Sequence, residues 1–388
     1  MGRDYPGIDK LGAAFQKKNL TLYLGAGVSV DNGLPTWERL VLAMYFSAIS
    51  NQTLEGWRPF PNYLFAIAEW YLERNHEPLE VTARRLRRYY QNDHEGFMMS
   101  LHKTLYAGFL DEEAEGCGYR AVAPDDLRQA NPSLDAVAHL CERGSQHQGV
   151  RSVITYNYDN LLQLALGQVP HQTIYSNVAL EAERLPIYHV HGFVPYNESC
   201  HPPSEDIVFT EDQYHLAARD SYSWHNLVQV QSLANSVGLM IGLSVSDRNI
   251  RRLLDAISNA PVKAVNYALL QVPKRKEPTD SDLDYIHHKA QHYIGRFQKS
   301  AIKKEWPDRA KVMYPRPGIK SSSRPIHPSG SDLEPIYRTE IRGIIEKVGL
   351  LDNQEQTFVL EQLGVTPIWY EEHSEIPEII NLILGQIE

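Results

Sequence analysis

Four short stretches of this chain carry residue types that could do chemistry on a nucleotide. Gly25-Ala26-Gly27-Val28-Ser29 follows an apolar run and places two glycines where backbone could approach a pyrophosphate closely. Without Cβ atoms, such a loop brings main-chain N–H groups up to a pyrophosphate, and the N-terminus of a following helix adds a positive dipole end. The third glycine of the usual dinucleotide fingerprint is missing from its place, since Gly33 arrives too late, so a ligand-free strand-to-helix turn stays open. In Thr155-Tyr156-Asn157-Tyr158-Asp159, an extended backbone points Asn157 and Asp159 to one side. An amide and a carboxylate there suit a ribose, a carboxamide or a water; an Asx turn with a helix N-cap is the bland alternative. His191-Gly192 ends another apolar run, and a histidine titrating near neutrality suits a general base toward a sugar hydroxyl. A core histidine bonded to a carbonyl is the other reading, and His189, expected on the same strand face, reads as structural. The fourth stretch is Gly242-Leu243-Ser244, followed by Asp247, whose simplest role is to cap the next helix.

The elements that must hold these residues are legible from hydrophobic periodicity. A helix over about 8–18 leads to a buried strand at 20–24, the glycine loop, a turn-rich stretch to Pro35, and a helix from about 36. Further strands are expected at 153–155, 187–191, 207–209, 238–242, 265–272 and 365–370, with helices at 160–166 and after Asp247. Ile376, Ile379, Ile380 and Ile383 share one face of a closing helix. Alternating strands and helices argue for an α/β, Rossmann-like, mainly parallel sheet with helices on both faces. The reading divides the chain into a nucleotide-binding domain (1–37 and 149–388), an α-helical insertion module (38–148) and an irregular insertion (273–336). Within the last, 314–335 is rich in Pro, Ser and Gly and is expected to be a mobile loop. Four mild signals at four strand ends, in one order, are unlikely to coincide by chance.

Composition narrows the classes. Of 388 residues, 43% are hydrophobic and 22% charged, which excludes a disordered chain, and a net charge of −10 argues against a general nucleic-acid or acidic-membrane binder. The basic run Arg84-Arg85-Leu86-Arg87-Arg88 reads first as a solvated or partner-facing surface, with nucleic-acid contact the lesser reading. Cys117, Cys141 and Cys200 are scattered and form no CxxC pair, so neither a disulfide framework nor a zinc ribbon is expected. The N-terminus lacks a signal-peptide pattern and no run of about 18 apolar residues occurs, so the expected location is cytoplasmic, with no membrane contact.

These motifs together resemble the sirtuin superfamily. Gly25-Ala26-Gly27-Val28-Ser29 through Gly33-Leu34-Pro35 is similar to its glycine signature, Thr155 to Asp159 to its Thr-x-Asn-x-Asp motif, and His191-Gly192 to its His-Gly pair. Gly242-Leu243-Ser244 resembles the segment that meets the cofactor ribose. The resemblance covers about 8–37, 151–272 and 364–388. It implies NAD as substrate, Asn157 orienting water or ribose, His191 as base and Asp159 holding the nicotinamide–ribose region. It also implies Gly25, Ala26, Gly27 and Ser29 around the pyrophosphate, Pro35 as a further cofactor-binding residue, and Gly242, Ser244 and Asp247 toward the adenosine ribose. Thr36-Trp37-Glu38 replaces the Asp-Phe-Arg of protein-deacylating members, and their four zinc cysteines are absent, so no metal is expected. The segments 207–214, 242–250 and 368–373 are instead similar to bacterial sirtuin-like antiphage effectors that deplete NAD. That likeness implies an NAD glycohydrolase acting as a homo-oligomer with a HerA-type ATPase. A protein deacylase and a non-catalytic NAD sensor or scaffold are the alternatives, followed by a hydride-transfer dehydrogenase.

Overall fold

Residues along the central strands alternate between two cores. In β1 (Leu20–Leu24), Leu20, Leu22 and Leu24 enter one apolar cluster while Tyr23 enters the other. The same alternation holds for Val153 and Ile154 of β2 (Val150–Thr155) and for Leu239 and Met240 of β5 (Val237–Ile241). A sheet buried on both faces must be covered by helices on both, which suits parallel strands joined by crossovers. The structure, a computed structural model, describes residues 5–53, 61–72, 74, 79–91, 93–109, 122–144, 147–197, 203–204, 207–210, 213, 219–220, 222–258, 265–273, 279–286, 339, 342–345 and 354–386. The expected loop at 314–335 lies outside them.

Seven strands form one sheet in the order β3-β4-β2-β1-β5-β6-β7, where β3 is His171–Ile174, β4 Leu185–His189, β6 Val265–Gln271 and β7 Val365–Tyr370. Every pairing is parallel, so the fold is Rossmann-like. One face carries α1 (Ile8–Gln16), α7 (Pro132–Glu142), α8 (Leu161–Leu166) and the closing α11 (Glu375–Gly385). The other carries α9 (Trp224–Asn235) and α10 (Arg248–Ser258). In α11 no side chain caps the N-terminus. Its four inward isoleucines, each worth about 2 kcal/mol on burial, hold it instead.

Between β1 and β2 run α2 (Trp37–Thr53), α3 (Pro61–Leu72), α4 (Leu79–Tyr89), α5 (His94–Leu105), α6 (Pro124–Ala130) and α7. Helices α3, α4 and α5 pack on α2, whereas α6 and α7 join α8, and α7 also packs on α11. The described chain divides into two compact units, Met1–Val272 with Thr357–Glu388, and Pro273–Gln356. In the second unit, Arg342 meets Asp280 at 3.5 Å. No helix among the described residues is long and apolar enough to cross a membrane.

Two expectations need correction. Residues 207–209 are not a strand: Ile207 and Phe209 are buried, but the segment is tied down by the Val208 amide donating to the His191 carbonyl (2.8 Å) and by the Tyr158 hydroxyl donating to the Val208 carbonyl (2.8 Å). The histidine strand also ends early, at His189, so His191 does not share its face. It lies in the turn beyond, before Gly192 at φ +108°. β3 and α9 were not expected.

The strand ends that matter meet at β1, where the chain, having placed β2, β3 and β4 on one side, crosses back to set β5 on the other. The Gly25 and Gly27 amides donate to the carbonyls of Ile241 and Gly242, each at 3.0 Å. A Cβ on Gly25 would sit 2.4 Å from the Gly242 oxygen, and one on Gly27 would sit 2.7 Å from the Gly242 Cα. Gly242 itself has φ +64° and would place a Cβ 2.5 Å from the Val28 nitrogen. These glycines are therefore required by backbone packing between β1 and β5, whatever ligand approaches them. A left-handed alanine costs about 1–2 kcal/mol, and backbone overlap adds to that because no rotamer relieves it. Gly242→Ala should lower the melting temperature by several degrees, clearly more than Gly33→Ala, whose Cβ at φ +86° would have its nearest neighbour at 3.7 Å. Equal melting of the two variants would remove the packing constraint.

Candidate active site

A cavity of about 850 Å³ opens across these strand ends. Ligands of open α/β sheets bind at such a switch point, beyond the carboxyl ends of the strands. Asn157, Asp159, His191, Gly25, Ala26, Gly27, Ser29, Pro35, Gly242, Ser244 and Asp247 all line it. Residues from four strand ends far apart in sequence thus converge on one volume of a size suited to a small ligand.

Ser29 is the hub of the buried floor. Its hydroxyl donates to Asp159 (3.1 Å to Oδ2, 3.3 Å to Oδ1) and accepts from the Asn157 Nδ2 (3.2 Å), which also donates to the Gly25 carbonyl (3.0 Å). With Nδ2 committed inward, Oδ1 is the Asn157 atom left for a ligand. Asp159 also accepts from the Leu161 amide (3.0 Å), so the Asx turn at the start of α8 is present together with the cavity position. Burial raises the Asp159 carboxyl to about 6, against the lowering effect of the hydrogen bonds from Leu161 and Ser29.

The two histidines have different work. His189 is buried, accepts from Gln163 Nε2 at 2.7 Å and donates through Nδ1 to the Asn157 carbonyl at 3.1 Å. Burial lowers it to about 4, so it stays neutral and holds the backbone of the Asn157 turn. His191 lines the cavity with its ring edge-on to Tyr156 at 5.0 Å, and the Tyr156 hydroxyl donates to Gln229 on α9 at 2.7 Å. Burial lowers the His191 imidazole, partly countered by the Asp247 carboxylate, with His225 adding to the lowering. A neutral imidazole at working pH is the form that accepts a proton.

The α-helix begins at Trp37, as expected after a turn-rich stretch. That stretch holds two three-residue 3₁₀ turns, Ala26–Val28 and Val30–Asn32, so the helix N-terminus stands off from the glycine loop in sequence. The amides of Gly25, Gly27, Val28 and Ser29 are bonded to carbonyls of the protein. The loop therefore offers fewer free donors than a helix N-terminus would. Asn131, buried at the N-cap of α7, pins it: Nδ2 donates to the Val28 carbonyl and to Asn32 Oδ1, both at 2.7 Å. Beyond β5, Val245 holds φ +54°, costly for a β-branched residue, and is buried in the second core between the cavity-lining Ser244 and Ser246. The two serine hydroxyls meet at 2.5 Å. Asp247 Oδ1 accepts from the amides of Asn249 (2.9 Å) and Ile250 (3.0 Å), so it caps α10 while lining the cavity.

Sequence reasoning missed several lining residues: Trp37, Leu40 and Leu105 on the helical side, Arg39, Glu80, Arg252, and His373 from the β7–α11 turn. The Asn131-Pro132 pair was readable as a helix start, but its grip on the loop was not. Among the described residues no group of three or more His, Cys, Asp or Glu is placed to hold a metal.

The family model of the SIR2-like domain matches residues 151–294. This span, which is similar to that domain, holds Asn157, Asp159, His191 and the β5 segment. A solved structure described as "Structural Basis for the Mechanism and Regulation of Sir2 Enzymes" is 15% identical, with a TM-score of 0.31, covering 71% of this chain and 88% of that one. That likeness is too loose to carry residues across. No curated protein matches this chain.

The raised Asp159 carboxyl sets a pH test. Its folded value lies above its reference of 3.8, so its contribution to stability is fully present below that reference and lost as pH rises through about 6. Burying the carboxylate then costs about 3 kcal/mol at pH 7.5 and about half that at pH 5. Asp159→Asn should raise the melting temperature at pH 7.5, with a smaller gain at pH 5. A variant that melts lower at pH 7.5 would show that the bonds to Ser29 and Leu161 outweigh the burial.

Proposed function

We propose that the chain is an NAD glycohydrolase that cleaves the nicotinamide–ribose bond to give nicotinamide and ADP-ribose. The observation that carries this is the convergence of Asn157, Asp159 and His191 with the glycine loop on a single cavity at the switch point of the sheet.

The chemistry follows from the groups on that floor. Nicotinamide leaves as a neutral base from a cationic pyridinium, so the step needs little acid help and more stabilisation of an oxocarbenium-like ribose. Asp159, ionised above pH about 6, supplies negative charge beside the sugar. Neutral His191 takes the proton of the attacking water or of a ribose hydroxyl. The Asn157 carboxamide, locked through its Nδ2, presents a fixed oxygen to water or sugar. The apolar helical wall of Trp37, Leu40 and Leu105 limits water to the reacting face. Depletion of NAD in antiphage defence, self-association and pairing with a HerA-type ATPase belong to the same proposal and rest on the sequence resemblance.

The test is loss of NAD by the purified full chain, alone and with a HerA-type ATPase, following nicotinamide and ADP-ribose by chromatography. Both products should appear without any acylated peptide, with activity falling below about pH 6 as Asp159 protonates. His191→Ala should cut turnover by about 100-fold or more while NAD binding persists. A fully active His191→Ala protein would sink the assignment of the base, and bound but intact NAD in both settings would sink the hydrolase.

A further inference from the structure

Three arginines line the cavity, and two of them are neutralised by carboxylates of the helical segment. Arg39 pairs with Glu69 of α3, and Arg248 with Glu80 of α4 at 3.5 Å. Arg252 is different. Among the described residues its guanidinium meets no carboxylate; Asn249 Oδ1 accepts from its Nη2 (2.8 Å) and Nε (3.3 Å), and Asn226 Oδ1 accepts from Nη2 at 3.4 Å. Asn249 and Asn226 are only 6% and 1% exposed. Two buried amide oxygens therefore orient the guanidinium without cancelling its charge.

Strand order says which end of a ligand meets it. The reactive groups stand at β2 and beyond β4, the glycine loop stands at β1, and Arg252 rises from α10, which follows β5 on the far side of β1. A dinucleotide with its reactive ribose over Asn157 and its pyrophosphate at the loop lays its adenosine ribose toward α10. We propose that Arg252 is a specificity residue that admits a 2′-phosphorylated dinucleotide, so that NADP is a ligand of this cavity alongside NAD; the inference rests on the dinucleotide reading above.

The chemistry fits a phosphate better than a hydroxyl. A planar guanidinium gives paired N–H donors to phosphate oxygens, and an arginine near the adenosine ribose is the usual means of accommodating a 2′-phosphate. Ser244 and Ser246 lie on the same side, and of two hydroxyls bonded to each other one keeps a proton to donate. Asp247 also stands there, and among the described residues no arginine pairs with its carboxylate. It faces the amides of Asn249 and Ile250 at the positive end of α10, which offsets its charge.

Calorimetric titration of the full chain with NAD and with NADP tests the proposal, using wild type, Arg252→Gln and Arg252→Lys. Wild type should bind NADP with a Kd within about threefold of that for NAD. Arg252→Gln should weaken NADP by about tenfold more than it weakens NAD, the loss expected for a charged hydrogen bond, and Arg252→Lys should recover part of it. Wild type that binds NAD but takes NADP tenfold or more weakly would overturn the proposal, as would equal losses of both ligands in Arg252→Gln. Should Arg252→Gln fail to fold, the wild-type ratio and the Lys variant still decide. Binding of neither nucleotide by wild type would overturn the dinucleotide reading itself, a separate result.

Discussion

The site depends on one contact between two stretches of bare backbone. Where β1 and β5 end side by side, Gly25 and Gly27 lie against Gly242, with amide-to-carbonyl bonds of 3.0 Å and no room for a Cβ on either side. That closeness fixes the distance between the glycine loop and the Gly242–Asp247 segment, and so sets the span over which a ligand can touch both. It also turns the loop into tight 3₁₀ turns that spend most of their amides internally. Asn131 then clamps those turns to α7, tying the ligand loop to a helix that belongs to the main core. A rigid first turn on a packed scaffold holds catalytic groups more precisely than a free loop would.

From that fixed loop the polar floor is built inward. Ser29 sits one turn past the glycines and joins Asp159 to Asn157, while His189 and Gln163 brace the Asn157 turn from below. Ser29, Asp159, Gln163 and His189 are buried, and burial does opposite things to acids and bases: it lifts Asp159 to about 6 and drops His189 to about 4. The pair of shifts keeps a neutral brace next to a carboxylate whose charge is costly in the folded protein. A carboxylate kept at such a cost marks a candidate functional site, since a site built only for packing would relieve it with an amide.

The fold was legible wherever one periodicity decided the structure. β1, β7 and the isoleucine face of α11 follow from runs and spacings that only one arrangement buries. β3 escaped because only Ile174 of its four residues is buried, and α9 escaped because its inward residues include Asn226 and Gln229, which carry no apolar signal. Residues 207–209 misled for the converse reason: apolar burial looks like a strand in a sequence even when no ladder forms. The glycines read as close-approach positions for a pyrophosphate, while the backbone they pack against is that of Gly242, a contact invisible in a linear reading. Trp37, Arg252 and His373 reach the cavity from elements far apart in sequence, so no local spacing could bring them together.

The charges around the cavity divide along the same lines as the elements. The helical segment supplies Glu69 and Glu80, which neutralise Arg39 and Arg248, and it supplies an apolar wall. An ion pair exposed at a rim contributes little stability, so these pairs matter more for the charge they remove from the opening than for holding the helices. With both arginines paired, the remaining positive charge stands at α10 and the remaining buried carboxylate stands at Asp159, on opposite sides of β1. A ligand that is anionic along its length and cationic at its reactive ring meets complementary charge at each end. Field polarity across the switch point therefore favours one direction of binding over its reverse, before any specific hydrogen bond is made.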